Sequence, residues 1–309
     1  MKILISTSSF GKYDEKPLEM LKTEGHEVMP NPHKRKLTSE ELTRLAKDCD
    51  GIIAGTEKYD KEIFEKLPKL KIISRCGVGM DSIDLEEAKK RGIIVKNTPD
   101  APTEAVAELT ILMILDVLRK VSFMDRQIRT GVWNKEMGHL LSGKTVGVIG
   151  LGRIGRRVIE LLAPFNVKFI AAEPRPDKGW MKENKVGLVE LDKLLEESDI
   201  VSLHVPFLPE TKNIINSERL KLMKKDAVLI NAARGGVVDE AALYEALKNK
   251  HLYGAALDVM EKEPYDGPLK NLDNIVLTPH IGSYAIEARI LMEIEAVKNL
   301  INSSAEVKS

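Results

Sequence analysis

The chain has 309 residues, of which 43% are hydrophobic, so it is long enough for two domains with separate cores. Its 47 basic residues balance 47 acidic ones, so no global charge favours nucleic acid or an anionic membrane. Two cysteines make no disulfide framework, the N-terminal residues predict a strand rather than a secretory signal, and the most apolar segment, 105–118, is too short to span a bilayer. We therefore expect a cytoplasmic protein with no nucleic-acid or membrane partner.

Short apolar runs alternate with amphipathic helical stretches in the first third of the chain, which is typical of an α/β fold with a parallel sheet. The segment Thr38-Ser-Glu-Glu41 fits a capping box and predicts the start of a helix. Pro99 ends the regular pattern and predicts a crossover into a second domain. The predicted strands are Lys2–Thr7, Glu27–Met29, Gly51–Ala54, Lys71–Arg75 and Ile93–Lys96.

A long helix is predicted from Thr103 to Lys120, and its apolar residues occupy more than one face. A helix of this kind must be buried, either in a core or against another subunit. The pattern is compatible with an ordinary core helix and with a dimer interface, and it favours neither.

A second α/β series follows, and its six predicted strands match the size of a full doubly wound dinucleotide domain. A final helix is predicted from about Ala285 to Ile301, with a frayed polar tail at 302–309. If this helix returns to the first domain, that domain is discontinuous. The predicted strands are Thr145–Ile149, Val167–Ala172, Ile200–Leu203, Ala227–Asn231, Gly254–Asp258 and Ile275–Thr278.

The segment Gly150-Leu-Gly152-Arg-Ile-Gly155 lies between a β-rich run and a helix-forming run. In this context its glycines allow a sharp turn, a close approach of a pyrophosphate and tight packing of helix on strand, which predicts a dinucleotide site. Glu173 ends the next apolar run and could bind the adenosine ribose hydroxyls. An acidic side chain there would repel a 2′-phosphate, so we expect NAD rather than NADP, although Arg175 could reach such a phosphate.

Candidate catalytic residues follow the strands of this second series. Histidine is best suited to proton exchange beside a nicotinamide, because its pKa lies near neutrality, and His204 and His280 both follow strands. Arg234 precedes two glycines, and its guanidinium could bind a carboxylate. Glu263 could bond to an imidazole, which would fix its tautomer and favour its protonated form. The sequence has no H-E-x-x-H and no paired Cys-x-x-Cys, so no metal is expected.

The turn Arg75-Cys-Gly77-Val78-Gly79 follows a strand of the first domain. Its glycines could present successive backbone N–H groups as a nest for a substrate carboxylate. An ordinary strand-to-helix turn is the alternative, and the residues alone do not decide between the two. Within this turn Cys76 is predicted to be a small buried filler, because nothing in the sequence supplies an adjacent base.

In combination, these motifs resemble the D-isomer-specific 2-hydroxyacid dehydrogenase family, and in particular its short phosphoglycerate dehydrogenase branch without a regulatory domain. The resemblance is strong over about 51–285 and loose before that. It is carried by Arg75-Cys-Gly-Val-Gly-Met-Asp81, Asn97-Thr-Pro99, Gly143-Lys-Thr-Val-Gly-Val-Ile-Gly-Leu-Gly-Arg-Ile-Gly155, His204-Val-Pro206, Asn231-Ala-Ala-Arg-Gly-Gly236, Leu257-Asp-Val259 and Thr278-Pro-His-Ile-Gly282.

The resemblance implies two doubly wound parallel-sheet domains with a cleft between them. Residues 1–98 and 284–309 would form a flavodoxin-like substrate domain, and residues 99–283 a Rossmann NAD-binding domain. The family usually assembles as dimers through the nucleotide domains, which would place the helix at 103–120 in the interface of a homodimer.

The resemblance also implies a role for each residue of the matching motifs. The catalytic residues would be Arg234, Glu263 and His280, and Asp258 would contact the nicotinamide carboxamide. The expected cofactor-binding residues are Gly150, Gly152, Arg153, Ile154, Gly155, Glu173, His204, Val205, Pro206, Ala232, Ala233, Asp258 and Gly282. The expected substrate-binding residues are Arg75, Gly77, Val78, Gly79 and Arg234.

The implied function is hydride transfer between NAD and a small D-2-hydroxy acid or 2-oxo acid, with the 3-phosphoglycerate and phosphohydroxypyruvate pair of serine biosynthesis favoured. One departure from the family pattern weakens the assignment of that substrate. Phosphoglycerate dehydrogenases often carry an arginine for the phosphate after the strand that is Gly51–Ala54 here, whereas this chain has Glu57, with Lys58 or Arg75 as possible substitutes. A glyoxylate or hydroxypyruvate reductase and a non-catalytic NAD(H)-sensing scaffold of the corepressor type are the alternatives.

Overall fold

The structure, a computed structural model, describes residues 1–308 and forms two compact units. One unit is Met1–Pro102 together with the chain from Ser283 onward, and the other is Thr103–Gly282. The N–H of Thr98 donates to the Gly77 carbonyl, and Ala101 packs on the core of the first unit, so the chain up to residue 102 packs with that unit. The predicted domain boundaries at 98 and 283 stay predictions.

The first unit is built on a five-stranded parallel sheet with the order β2-β1-β3-β4-β5, which is the flavodoxin-like order. Each of the five strands predicted from the sequence is present. They are β1 (Lys2–Ile5), β2 (Glu27–Pro30), β3 (Gly51–Ala54), β4 (Ile72–Arg75) and β5 (Ile94–Asn97). The helices of this unit are α1 (Lys16–Thr23), α2 (Ser39–Ala46), α3 (Lys61–Glu65), α4 (Leu85–Lys90) and, at the end of the chain, α12 (Ile286–Lys308).

Local sequence explains where the helices of the first unit start. The predicted capping box at α2 is present, because the Thr38 side chain accepts from the N–H of Glu41 and the Glu41 side chain accepts from the N–H of Thr38. At α3 and α4 the cap is a single bond: the Asp60 carboxylate accepts from the N–H of Ile63, and the Asp84 carboxylate accepts from the N–H of Glu87.

The final helix, α12, returns to the first unit and is longer than the sequence predicted. Its apolar residues pack against β1, β3 and β4, and the Ser74 hydroxyl donates to the carbonyl of Ala296 at 2.7 Å. The prediction of a frayed tail from 302 was wrong, because Ser303 and Ser304 are buried and the helix continues to Lys308. Ser309 lies outside the described residues.

The second unit is built on a seven-stranded parallel sheet with the order β12-β11-β10-β9-β6-β7-β8. This is the Rossmann order with one further strand at an edge, and it places a topological switch point between β6 and β9. The strands are β6 (Thr145–Ile149), β7 (Lys168–Ala172), β8 (Val186–Leu188), β9 (Ile200–Leu203), β10 (Val228–Asn231), β11 (Gly254–Leu257) and β12 (Ile275–Leu277). The sequence predicted six of them and missed β8, which has three residues and a central glycine.

Helices cover both faces of this sheet. They are α5 (Thr103–Arg119), α6 (Val121–Arg129), α7 (Arg153–Leu162), α8 (Lys178–Glu183), α9 (Leu191–Glu197), α10 (Ser217–Leu222) and α11 (Glu240–Lys248). Short 3-10 turns occur at Ala163–Phe165 and Pro268–Asn271. In residues 1–308 we find no helix with the length and apolar character needed to cross a membrane.

The long helix α5 is a core helix along one face. It packs on α7, β10, β11 and β12, and buries Met113, Ile114 and Leu118 among the side chains beneath. The sequence did not predict α6, which follows it and has no fully buried residue. Large apolar side chains remain exposed from α5 through α6 to residue 140, and we call this set the α6 surface: Leu112, Val121, Ile128, Val132, Trp133, Met137 and Leu140.

Candidate active site

The glycine turn between β6 and α7 has the geometry that the sequence motif predicted. A side chain at Gly150 would lie 2.7 Å from the His204 carbonyl oxygen, and one at Gly155 would lie 2.1 Å from the Gly150 carbonyl oxygen. Both positions therefore require glycine, because any side chain there would clash with the backbone. Gly152 differs, because no atom lies within 4 Å of the place that its side chain would take. The space beside Gly152 remains open for a ligand that approaches the backbone.

The start of α7 suits a pyrophosphate. Gly152 is the N-cap residue of this ten-residue helix and has no side chain that could bond to its first N–H groups. Glu173 stands at the end of β7, where one carboxylate oxygen accepts from the N–H of Leu151 at 2.8 Å and the other from the N–H of Arg175 at 3.0 Å. These bonds hold the acid beside the glycine turn, where ribose hydroxyls would reach it. The residues present therefore fit a dinucleotide.

His280 and Glu263 form the hydrogen-bonded pair that the sequence analysis predicted. The Nδ1 atom of His280 lies 3.0 Å from Oε2 of Glu263, and both side chains are partly exposed. The other oxygen of Glu263 accepts from the N–H of Met260 at 3.2 Å. Because Nδ1 is bonded to the carboxylate, the imidazole presents Nε2 as the atom that can exchange a proton with a substrate.

Arg234 lies on the loop after β10, next to the segment that leads to Glu263. Its guanidinium donates to the Ala233 carbonyl oxygen at 2.6 Å, and the loop is half-buried. A side chain at the following residue, Gly235, would lie 1.9 Å from the Met260 carbonyl oxygen, so the two loops are in backbone contact. The structure therefore brings together the loops of Arg234, Glu263 and His280 at the carboxyl edge of β10, β11 and β12.

Two buried polar side chains hold these loops, and the sequence analysis did not assign that role to either. Asn231 donates to the Arg234 carbonyl oxygen at 2.9 Å and accepts from the N–H of Ala233 at 3.1 Å. Asp258 accepts from the Thr278 hydroxyl and from two backbone N–H groups of the turn that carries His280. A polar residue at the end of an otherwise apolar strand is the sequence signal that could have identified Asn231.

The imidazole of His204 is buried, in contrast to that of His280. Its Nε2 atom lies 2.8 Å from the Ser202 hydroxyl, and its Nδ1 atom is buried without a hydrogen-bond partner. Burial lowers the pKa of His204 to about 4, so the ring is neutral near pH 7. The Nδ1 atom of the ring is screened from solvent. The expected contact of His204, Val205 and Pro206 with the cofactor stays a prediction.

The turn at Gly77 in the first unit offers fewer free donors than the sequence suggested. The N–H of Gly77 already donates to the Thr98 hydroxyl at 2.8 Å, and the Asn97 amide donates to the Val78 carbonyl. The expected role of Val78 and Gly79 as donors to a carboxylate stays a prediction. The Arg75 guanidinium lies against Gly77 and donates to the Cys76 carbonyl.

Next to this turn, the carboxyl edge of β3 carries a buried acid. Glu57 is 3% exposed, and its Oε2 atom accepts from the Ser6 hydroxyl at 2.7 Å. Lys58 is turned away to the solvent, where it pairs with Asp60 at 2.8 Å. Lys58 therefore does not take the place of a phosphate-binding arginine.

Cysteine and metal-ligating side chains are the two other groups with chemistry of their own. Burial raises the pKa of the Cys76 thiol to about 11, so this cysteine is not an activated nucleophile. Among residues 1–308, no three His, Cys, Asp or Glu side chains are grouped so that they could hold a metal ion.

Comparison with known proteins supports the interpretation of this geometry. A family model described as "D-isomer specific 2-hydroxyacid dehydrogenase, NAD binding domain" matches residues 111–282, more than half of the chain. The chain belongs to the D-isomer specific 2-hydroxyacid dehydrogenase family. Its members are NAD-dependent oxidoreductases, and NAD is the cofactor that the domain at 111–282 binds.

Relatives within this family carry different names. A glyoxylate reductase of Thermofilum pendens is 48% identical over 85% of this chain and 80% of its own length. A D-3-phosphoglycerate dehydrogenase of Methanocaldococcus jannaschii is 44% identical to this chain. The match covers 82% of this chain and 49% of that longer protein. The solved D-lactate dehydrogenase of Aquifex aeolicus, complexed with NAD and lactic acid, superposes with a TM-score of 0.84 at 31% identity and covers 99% of this chain and 96% of that one.

Proposed function

We propose that this dehydrogenase reduces a small 2-oxo acid without a phosphate group, of the glyoxylate or hydroxypyruvate class, with NADH. The observation that carries the proposal is the buried Glu57 at the carboxyl edge of β3, next to the turn with the Val78 and Gly79 donors. The name of the Thermofilum pendens relative supports the same class.

In this proposal the Arg234 guanidinium binds the carboxylate and the carbonyl oxygen of the substrate together. The N–H groups of Val78 and Gly79 are proposed as donors to a carboxylate. His280 donates the proton on Nε2 to the carbonyl oxygen during reduction and takes it back during oxidation. Glu263 orients the imidazole through Nδ1. NAD, when bound, supplies the carbon that exchanges hydride with the substrate.

Glu57 bears on the choice of substrate because like charges repel. An acidic side chain beside the substrate would oppose a dianionic phosphate, and such juxtapositions cost several kcal/mol at interfaces. Its only bonded donor in the described part of the chain is the uncharged Ser6 hydroxyl, and the neighbouring Lys58 is paired elsewhere. Phosphohydroxypyruvate is therefore the second candidate, and the Methanocaldococcus jannaschii relative is the observation that favours it.

A panel of 2-oxo acids tests the proposal. The purified protein is assayed with NADH and glyoxylate, hydroxypyruvate or phosphohydroxypyruvate, and kcat/KM is compared. We expect both unphosphorylated acids to be preferred, and Glu57→Gln to raise the relative efficiency with phosphohydroxypyruvate by about 10-fold. Glu62→Gln, an exposed acid on α3, is the matched control and should leave the ratio unchanged. A wild-type preference for phosphohydroxypyruvate would contradict the proposal.

We also propose that two copies of this chain associate through the α6 surface. It gathers large exposed apolar side chains on one stretch of the second unit, and a cavity of about 150 Å³ lies between α5, α6 and Tyr253. Monomeric proteins rarely expose apolar patches of this kind. A second copy is the occupant we assign to the surface.

A further inference from the structure

The loops of Arg234 and His280 are each attached to one buried polar side chain at the end of a neighbouring strand. Asn231 ends β10 and Asp258 follows β11, and they are 2% and 1% exposed. The N–H of Asp258 donates to the Asn231 carbonyl oxygen at 2.9 Å, so the two residues stand side by side. No part of the proposed reaction uses either side chain.

The hydrogen-bonding capacity of each side chain matches the loop that it holds. The loop after β10 offers the N–H of Ala233 and the carbonyl of Arg234, and the amide of Asn231 satisfies both. The turn after β12 directs three donors at Asp258, and a carboxylate accepts without donating. Asp258 receives the Thr278 hydroxyl at 2.6 Å, the Ile281 N–H at 2.7 Å and the Gly282 N–H at 2.8 Å.

Asp258 also supports the backbone around both His280 and Glu263. The N–H of His280 donates to the Asp258 carbonyl oxygen at 2.8 Å, and His280 is held at a φ of 56°, which is uncommon for a residue other than glycine. Two residues further along the chain, the N–H of Met260 bonds to Glu263. A displacement of Asp258 would therefore move the imidazole relative to the carboxylate that orients it.

We propose that Asn231 and Asp258 are positioning residues, which set Arg234 and His280 in their working geometry. This inference rests on the proposed roles of Arg234 and His280. It adds a second role to the expected contact of Asp258 with the nicotinamide carboxamide, because both oxygens of Asp258 accept hydrogen bonds from the turn after β12.

Exchanges between Asp and Asn test the proposal, because they keep the shape of the side chain and replace an acceptor by a donor, or a donor by an acceptor. Asp258→Asn turns an N–H group toward the donors of the His280 turn. We expect kcat with glyoxylate to fall by about 10²-fold, because small misplacements of reacting groups have effects of that size. The Kd for NADH should change by less than about threefold. The pH profile of kcat/KM should match that of Glu263→Gln, since both variants remove the same orienting contact.

Two further variants keep the test decisive if Asp258→Asn does not fold. Thr278→Val removes one donor to Asp258 and should lower kcat by about 10-fold with the same change in pH profile. The matched control is Thr110→Val, which removes a hydroxyl that is buried within α5 and should leave kcat unchanged. Asn231→Asp places a carboxylate against the Arg234 carbonyl and should raise KM for the 2-oxo acid more than it lowers kcat.

The possible outcomes separate this inference from the proposed function. If the wild type reduces no 2-oxo acid, the proposed function fails and this inference fails with it. If the wild type is active and Glu263→Gln shifts the pH profile, but Thr278→Val behaves like Thr110→Val, only the positioning role is overturned. A rise in the Kd for NADH that exceeds the loss of kcat in Asp258→Asn would show that Asp258 is a cofactor ligand and would also overturn it.

Discussion

The contact between Gly235 and Met260 predicts a large effect of one added methyl group on turnover. A Cβ atom at residue 235 would lie 1.9 Å from the Met260 carbonyl oxygen and 2.3 Å from its carbonyl carbon. Real Cβ contacts are essentially never shorter than 3.0 Å. Gly235→Ala therefore requires the two backbones to separate by about 1 Å, and neither can move as a flexible side chain would.

This separation acts directly on the loops that carry Arg234 and Glu263. Residue 234 precedes the substituted position, and the N–H of Met260 holds Glu263, which in turn holds His280 at 3.0 Å. A misplacement of about 1 Å costs ~10²-fold in rate, so we expect kcat to fall by that factor. Overpacking of this kind also costs about 1–3 kcal/mol of stability, which leaves the protein folded at 25 °C.

The assay follows NADH oxidation with glyoxylate and, separately, NADH binding by fluorescence titration. Binding should be retained, because the glycine turn at Gly150 is not touched by the substitution. Gly179→Ala is the matched control: its side chain would have ordinary contacts, 3.5 Å from Asp177, and turnover should be unchanged. Turnover of Gly235→Ala within about threefold of the wild type would refute the argument, because it would show that the two loops need no fixed contact.

Three further predictions concern pH, cofactor and assembly. Burial lowers the pKa of His204 to about 4 from 6.5, so the folded state resists a proton that the unfolded state accepts. About 3 kcal/mol of stability, present above pH 6.5, should therefore be lost as the pH falls toward 4. The free energy of unfolding of His204→Gln, measured by chemical denaturation at several pH values, should lack this loss. The same pH dependence in the wild type and the variant would contradict the prediction. The wild type should use NADH at least about 10-fold better than NADPH, since Glu173 opposes a 2′-phosphate. Equal kcat/KM with NADH and NADPH would show that Glu173 does not select between the two cofactors. Light scattering should show a dimer that the Met137→Glu and Leu140→Glu double variant dissociates, and a monomeric wild type would disprove the assembly.

Much of the fold was predictable from the sequence because buried parallel strands are continuous apolar runs. The segments at Gly51–Ala54 and Val228–Asn231 are buried throughout, and apolar runs with glycine or polar residues at their ends predicted both. Strand β8 was missed because three residues carry too little periodicity. Helix α6 was missed because it buries no residue fully, and two of its apolar residues, Val121 and Ile128, are exposed.

The site was predictable where one residue type performs one kind of chemistry. The pairing of His280 with Glu263 followed from the needs of proton transfer, and the glycine turn followed from steric limits. The exact donors of the Gly77 turn were not predictable, because the sequence does not show that Thr98, distant along the chain, uses one of them. The role of Asn231 was missed for the same reason, since its partners are backbone groups that any residue could provide.

The measurement that tests the central claim most directly is the turnover of wild type and His280→Ala with NADH and the preferred 2-oxo acid. The wild type should oxidise NADH in step with reduction of the acid. His280→Ala should be slower by ~10²–10⁴-fold and should still bind NADH, because in the proposed mechanism the imidazole supplies the proton and does not hold the nucleotide. Wild-type rates in His280→Ala would contradict the account, since the proton would then come from another group.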